Sequence, residues 1–133
     1  MKRRVYVLRL IQMATYVVAF ALLIACGGSD EQVAQTEHFA VRIRSEAQGV
    51  GEHDIIIDIR ERVNPSVTVE EVVVAPTMRD MGMASPEVIA TADASGRYRA
   101  KQVWFSMGGE WEVEVRIRTT TFEDIAIFRI QVN

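Results

Sequence analysis

The sequence predicts an all-β sandwich of about seven short strands, with a helical signal peptide ahead of it. Three observations carry this reading. Apolar and polar residues alternate with a period of two in several segments beyond residue 35. Valine and isoleucine, which crowd a helix at χ1 but suit a pleated surface, fill many of the apolar positions. Turn formers at Asn64-Pro65, Ala94-Ser95-Gly96 and Gly108-Gly109 separate the segments. A chain of 133 residues and 15.0 kDa leaves room for one such domain.

The elements follow in order. Met1 to Arg9 is short and cationic, and Leu10 to Ala25 is mostly apolar, the n-region and h-region of a secretory signal peptide. A helix over those sixteen residues would rise about 24 Å, short of the roughly 30 Å hydrocarbon core. Leu23-Ile24-Ala25 then leads into Cys26, followed by Gly27 and Gly28, and the run resembles a bacterial lipobox. Residues 1–25 are read as the leader. The Cys26 thiol can take a diacylglyceryl thioether, with further acyl chains such as palmitate, and cleavage would leave Cys26 as the lipidated first residue. An uncleaved signal anchor and a plain secretory cleavage with a free thiol are the competing readings. Several chains anchor firmly where one is marginal. The expected location is extracytoplasmic, lipid-anchored to a bacterial membrane on its periplasmic or outer face. Residues 26–35, which include GGSDEQVAQ, read as a flexible tether, and 36–133 as the domain.

In the domain, Phe39, Val41 and Ile43 alternate with Arg42 and Arg44. Ile55 to Ile59 is an apolar run holding Asp58, so it is expected to lie deeper. Val67 to Val74 carries five valines, and Pro76 is expected to end it. Glu87 to Ala92 is a short strand candidate. In Arg97 to Phe105 the apolar character changes side near Gln102, which calls for a bulge or a strand bridging two sheets. Trp111, Val113, Val115 and Ile117 share one face, and Ala126, Phe128, Ile130 and Val132 share another. Trp111 is expected in the core.

Charge narrows the function. Lys2, Arg3, Arg4 and Arg9 are the only charged residues before Cys26. Without them 11 basic residues face 18 acidic ones, a net −7 against the formal −3 of the whole chain. That balance argues against nucleic acid, whose binding relies on Lys and Arg at phosphates. Cys26 is the single cysteine, so no internal disulfide and no cysteine-built zinc site forms. His53 and Asp54 could be imagined in a Ser–His–Asp set, but no Gly-x-Ser-x-Gly turn marks a nucleophile. Glu112 and Glu114 share a strand face with Arg116 and Arg118, a pattern of a solvated face. The chain is read as not an enzyme.

The methionines stand apart. Met78, Met81 and Met83 fall in APTMRDMGMASP, and Met107 in FSMGGEW. Thioether sulfur is soft and neutral and selects Cu(I). Packing of irregular space is the competing use of methionine. A Cu(I) site would need Met107 to reach the Met78–Met83 segment.

The run MRDMGMASPEVIATADASGRYRAKQVWFSMGGEWEVEVRI resembles the YtkA-like and FixH-like domains, through Met81-Gly82, Gly96-Arg97-Tyr98 and Phe105-Ser106-Met107-Gly108-Gly109-Glu110-Trp111. The resemblance covers about residues 50–132. It implies an immunoglobulin-like β-sandwich on the outer side of a bacterial membrane, beside copper-transport, oxidase-assembly or efflux components. Relatives often carry a histidine by the Met-Gly turn, where Met83 stands here. A site without histidine holds Cu(I) and holds Cu(II) poorly. A non-metal module that docks on a membrane complex is the alternative.

Overall fold

The computed structural model describes residues 30–45, 49–63 and 67–133. The leader, Cys26 and the Asn64-Pro65 turn lie outside the described residues. The described residues form nine strands: β1 (Asp30–Gln35), β2 (Phe39–Ser45), β3 (Gly51–Glu61), β4 (Val69–Met78), β5 (Met83–Ala84), β6 (Val88–Ala92), β7 (Tyr98–Phe105), β8 (Gly109–Thr119) and β9 (Glu123–Val132). A single 3-10 turn, Arg79–Met81, joins β4 to β5. Among the described residues there is no α-helix, and no helix long and apolar enough to cross a membrane.

All pairings are antiparallel, in the order β1-β2-β3-β7-β6-β4-β8-β9, with β5 beside β4. β1, β2, β3 and β7 make one layer, and β4, β5, β8 and β9 the other. β6 pairs with both, through Val72–Val74 of β4 and through Arg99 and Tyr98 of β7. The result is the all-β sandwich that the alternation and the resemblance call for. Its core lies between the layers. Phe39, Val41 and Ile43 meet Ile55, Ile57, Val103 and Phe105 from one layer and Val72, Val74, Trp111, Val113, Val115 and Ile117 from the other. Trp111 is fully buried, sets its ring edge-on to Phe105 at 5.4 Å, and donates its indole N–H to the Met107 carbonyl.

Three expectations change. Residues 30–35 of the expected tether form β1, paired over six positions with β2. Pro76 does not end its strand. It lies buried inside β4, and its carbonyl accepts from the Ser85 amide. A strand residue points its N–H and C=O to the same side, so the missing N–H faces the gap between the β5 and β6 pairings. The ladder with β8 is untouched, running Ala75↔Glu114, Pro76↔Val113, Thr77↔Glu112. The strand count rises from seven to nine through β1 and the two-residue β5.

The expected irregularity of β7 is a bulge. His53 pairs with Val103 and Ile55 with Ala100, so Asp54 faces two residues, Lys101 and Gln102. Gln102 sits at φ 58, and its amide donates to the Asp54 carboxylate at 3.2 Å, which Arg99 also pairs at 3.2 Å. Inward-facing Ala100 therefore gives way to inward-facing Val103 and Phe105, and Trp104 is left 43% exposed.

Candidate functional site

The methionines collect at one end of the sandwich. β4 delivers Met78 inward, and the 3-10 turn reverses the chain at Gly82, whose φ of 62 places it in the left-handed region. β5 then returns with Met83 directly opposite Met78. Directly opposed residues point to the same face, with Cβ atoms about 5 Å apart. Met78 is 4% exposed, Met83 38% and Met81 60%, and Met107 is half-buried in the β7–β8 turn.

Gly109 joins the two segments. A Cβ there would meet the Met78 Cε at 2.9 Å and its sulfur at 4.0 Å, and φ at Gly109 is +133. The Met78 thioether thus lies over the Gly109 backbone, two residues from Met107. Met107 is held where it is by its carbonyl, which takes the Trp111 indole N–H at 3.0 Å. The structure therefore brings Met78, Met83 and Met107 to one end, with Met81 at the exposed tip of the turn. The sequence marked this segment through its Met-Gly signature. It did not show that Met78 belongs to the core.

The flank of this end is charged. Arg79, Asp80, Glu110, Glu112 and Arg129 line a cleft of about 140 Å³. Arg79 holds the largely buried Glu112 carboxylate at 2.6 Å. Glu112 faces outward with Thr77, whereas Met78 faces inward, so the cleft and the Met78 sulfur lie on opposite faces of β4. Among the described residues no group of three or more His, Cys, Asp and Glu side chains is placed to hold a metal ion.

The histidines lie elsewhere. His53 Nε2 meets the Gly49 carbonyl at 2.6 Å, while Asp54 is committed to the bulge, so the two are not a pair. The closest His–Asp contact is one that sequence reading missed, because 86 residues separate the partners. His38 Nδ1 lies 3.2 Å from Asp124 Oδ1, and the His38 ring stacks on Phe122 at 3.9 Å. Asp124 Oδ2 accepts from the His38 amide at 2.9 Å and from the Thr36 hydroxyl. Burial pushes the Asp124 carboxyl up, but the hydrogen bonds from Thr36 and His38 outweigh it and hold the group below its ordinary value. The Thr36 hydroxyl donates to the carboxylate and not to the imidazole. That order ties a turn down and does not activate a nucleophile.

The family model described as YtkA-like matches residues 32–116, from β1 to β8. The match begins earlier than the expected 50, takes in most of the first strand, and ends at 116, short of the expected 132. No curated protein and no solved structure matches the chain.

Proposed function

The chain belongs to the YtkA-like family, and from that premise we propose that it is a lipid-anchored, extracytoplasmic domain that binds or delivers Cu(I) through its methionines. Cys26 is the lipidated residue. Met78, Met81, Met83 and Met107 are the ligand set. The observation that carries the reading is the pairing of Met78 with Met83, with the Met78 sulfur laid over Gly109 beside the Met107 turn. Neutral thioethers suit Cu(I) and disfavour Zn(II) and Ca(II). Met78 is the buried floor of the set, and Met81 and Met83 are its accessible rim. The partner is a copper-transport, oxidase-assembly or efflux component of the membrane.

The test is an anaerobic Cu(I) competition titration against a chromogenic chelator, with the Met→Leu variant at 78, 81, 83 and 107 as control. Stoichiometric binding that the variant loses supports the reading. Equal behaviour of the two proteins overturns it.

One observation favours a second reading, a module that docks on a membrane complex without metal. Met78 is as buried as a core residue, and Ile89 of β6 and Ile125 and Ile127 of β9 stand 62%, 47% and 49% exposed. Methionine also suits adaptable contact surfaces.

A further inference from the structure

The position of β1 sets the distance between the domain and its anchor. The sequence alone gives residues 26–35 as a tether, a reach of about 35 Å when extended. The structure places Asp30 in the sheet, opposite Ser45. Four residue steps separate Cys26 from Asp30, a span of at most about 14 Å.

The end of the sheet at which that reach starts follows from the register. Asp30 stands level with Ser45, Ser45 with Ile55, and Ile55 with Ala100. β1 runs parallel to β3, so its first residue, Asp30, lies on the side on which β3 begins and β7 finishes. Four steps from Ile55 in that direction reach Gly51, which pairs with Phe105. The anchor thus reaches about as far as the sheet itself extends. The β4–β5 turn is at the same end, since Met78 packs on Gly109, the first residue of β8 after the β7–β8 turn.

This end carries an apolar rim. Val50 is 53% exposed, Trp104 43%, Met81 60% and Met83 38%. Of the other exposed large apolar residues, Val63 follows β3 at the far end, and Val33, Ile89, Ile125 and Ile127 lie along the broad strand faces. Charges at this end carry both signs, Arg79, Lys101 and Arg129 against Glu52, Asp80, Glu110 and Glu112, so among the described residues no polybasic patch selects anionic lipid. Tryptophan with aliphatic neighbours suits the headgroup boundary of a bilayer.

We infer that the end bearing Val50, Trp104, Met81 and Met83 rests on the phospholipid surface, with Trp104 at headgroup depth. The domain is held down and does not stand off. This rests on the lipidation of Cys26 proposed above. It does not depend on copper. It puts the methionine rim at the bilayer, where it would meet a membrane-embedded partner.

The test uses the full chain, processed in bacterial membranes, purified and reconstituted in phosphatidylcholine vesicles brominated near the headgroup. Trp104 and Trp111 are the only tryptophans. Mass spectrometry first reads the Cys26 adduct. Docking is supported if bromolipid quenches the Trp104 emission relative to unbrominated vesicles, as a tryptophan at the headgroup boundary requires. The Trp104→Phe variant should lose that quenching, and Val50→Glu should weaken it. A lipidated, vesicle-bound protein with unquenched Trp104 overturns docking and leaves the anchor intact. An unmodified Cys26 overturns the anchor, and the docking with it.

Discussion

At Trp111 one side chain joins the core to the turn that carries Met107. Its ring is fully buried against Phe105, and its N–H holds the Met107 carbonyl. Trp111→Ala should cost about 3–5 kcal/mol, read as a large fall in the urea midpoint. A melt near wild type would remove Trp111 from the core. Gly109 is the reciprocal case. Gly109→Ala places a Cβ 2.9 Å from the Met78 methyl and holds it at φ +133. A loss of about 1–3 kcal/mol is expected from the clash and the backbone together. Adding Met78→Ala should recover the clash part only. Strict additivity of the two changes would show that Met78 does not lie over Gly109.

At the scale of strands, the bulge in β7 follows from one carboxylate. Asp54 accepts the amide of Gln102 and pairs with Arg99. Left-handed backbone costs a residue with a Cβ roughly 1–2 kcal/mol, part of which glycine returns as unfolded-state entropy. Gln102→Gly should therefore be neutral or stabilising by up to about 1 kcal/mol in thermal melts. A clear destabilisation would mean that the Gln102 side chain, which also reaches Glu52, matters more than its backbone. The change of side at Gln102 was legible in the sequence because alternation breaks there in plain view. β8 and β9 were legible for the same reason. β1 was not, since DEQVAQ is polar and its place is held largely by backbone pairing with β2. Pro76 misled because proline ends a ladder only on the side that its N–H would face. The methionine segment could be picked out, but its burial could not. Alternation assigns Met78 inward only once β4 is known to continue past Pro76.

At the scale of the molecule, the two layers are joined along two seams of different kinds. β6 closes one with backbone hydrogen bonds to both layers. Side chains close the other, between β1 and β9. The Gln32 amide donates to the Arg129 carbonyl at 2.5 Å and accepts from the Arg129 amide at 3.3 Å, standing in for a peptide group. Asp124 fastens the turn after β1 through Thr36 and His38. Because the Asp124 carboxyl titrates lower folded than unfolded, its contribution is full above an unfolded value of about 3.9 and is lost as pH falls through the folded value. Asp124→Asn should flatten the acid limb of the stability curve below about pH 4. An unchanged limb would place the acid sensitivity elsewhere.

The seam also separates the two readings of residues 30–35. If they were only a tether, a chain beginning at Thr36 would melt like the longer one. As a strand, β1 covers the edge of β2 over six positions and supplies Gln32 to β9. Its removal should cost about 2–4 kcal/mol, a few hydrogen bonds at about 1 kcal/mol net each. Gln32→Ala isolates the seam from the ladder. It should leave the β1–β2 amides protected and speed exchange of the Arg129 amide, whose partner it deletes. Equal exchange at Arg129 in both proteins would mean that β9 holds its edge without β1. The first strand would then serve the proposed anchor and not the fold.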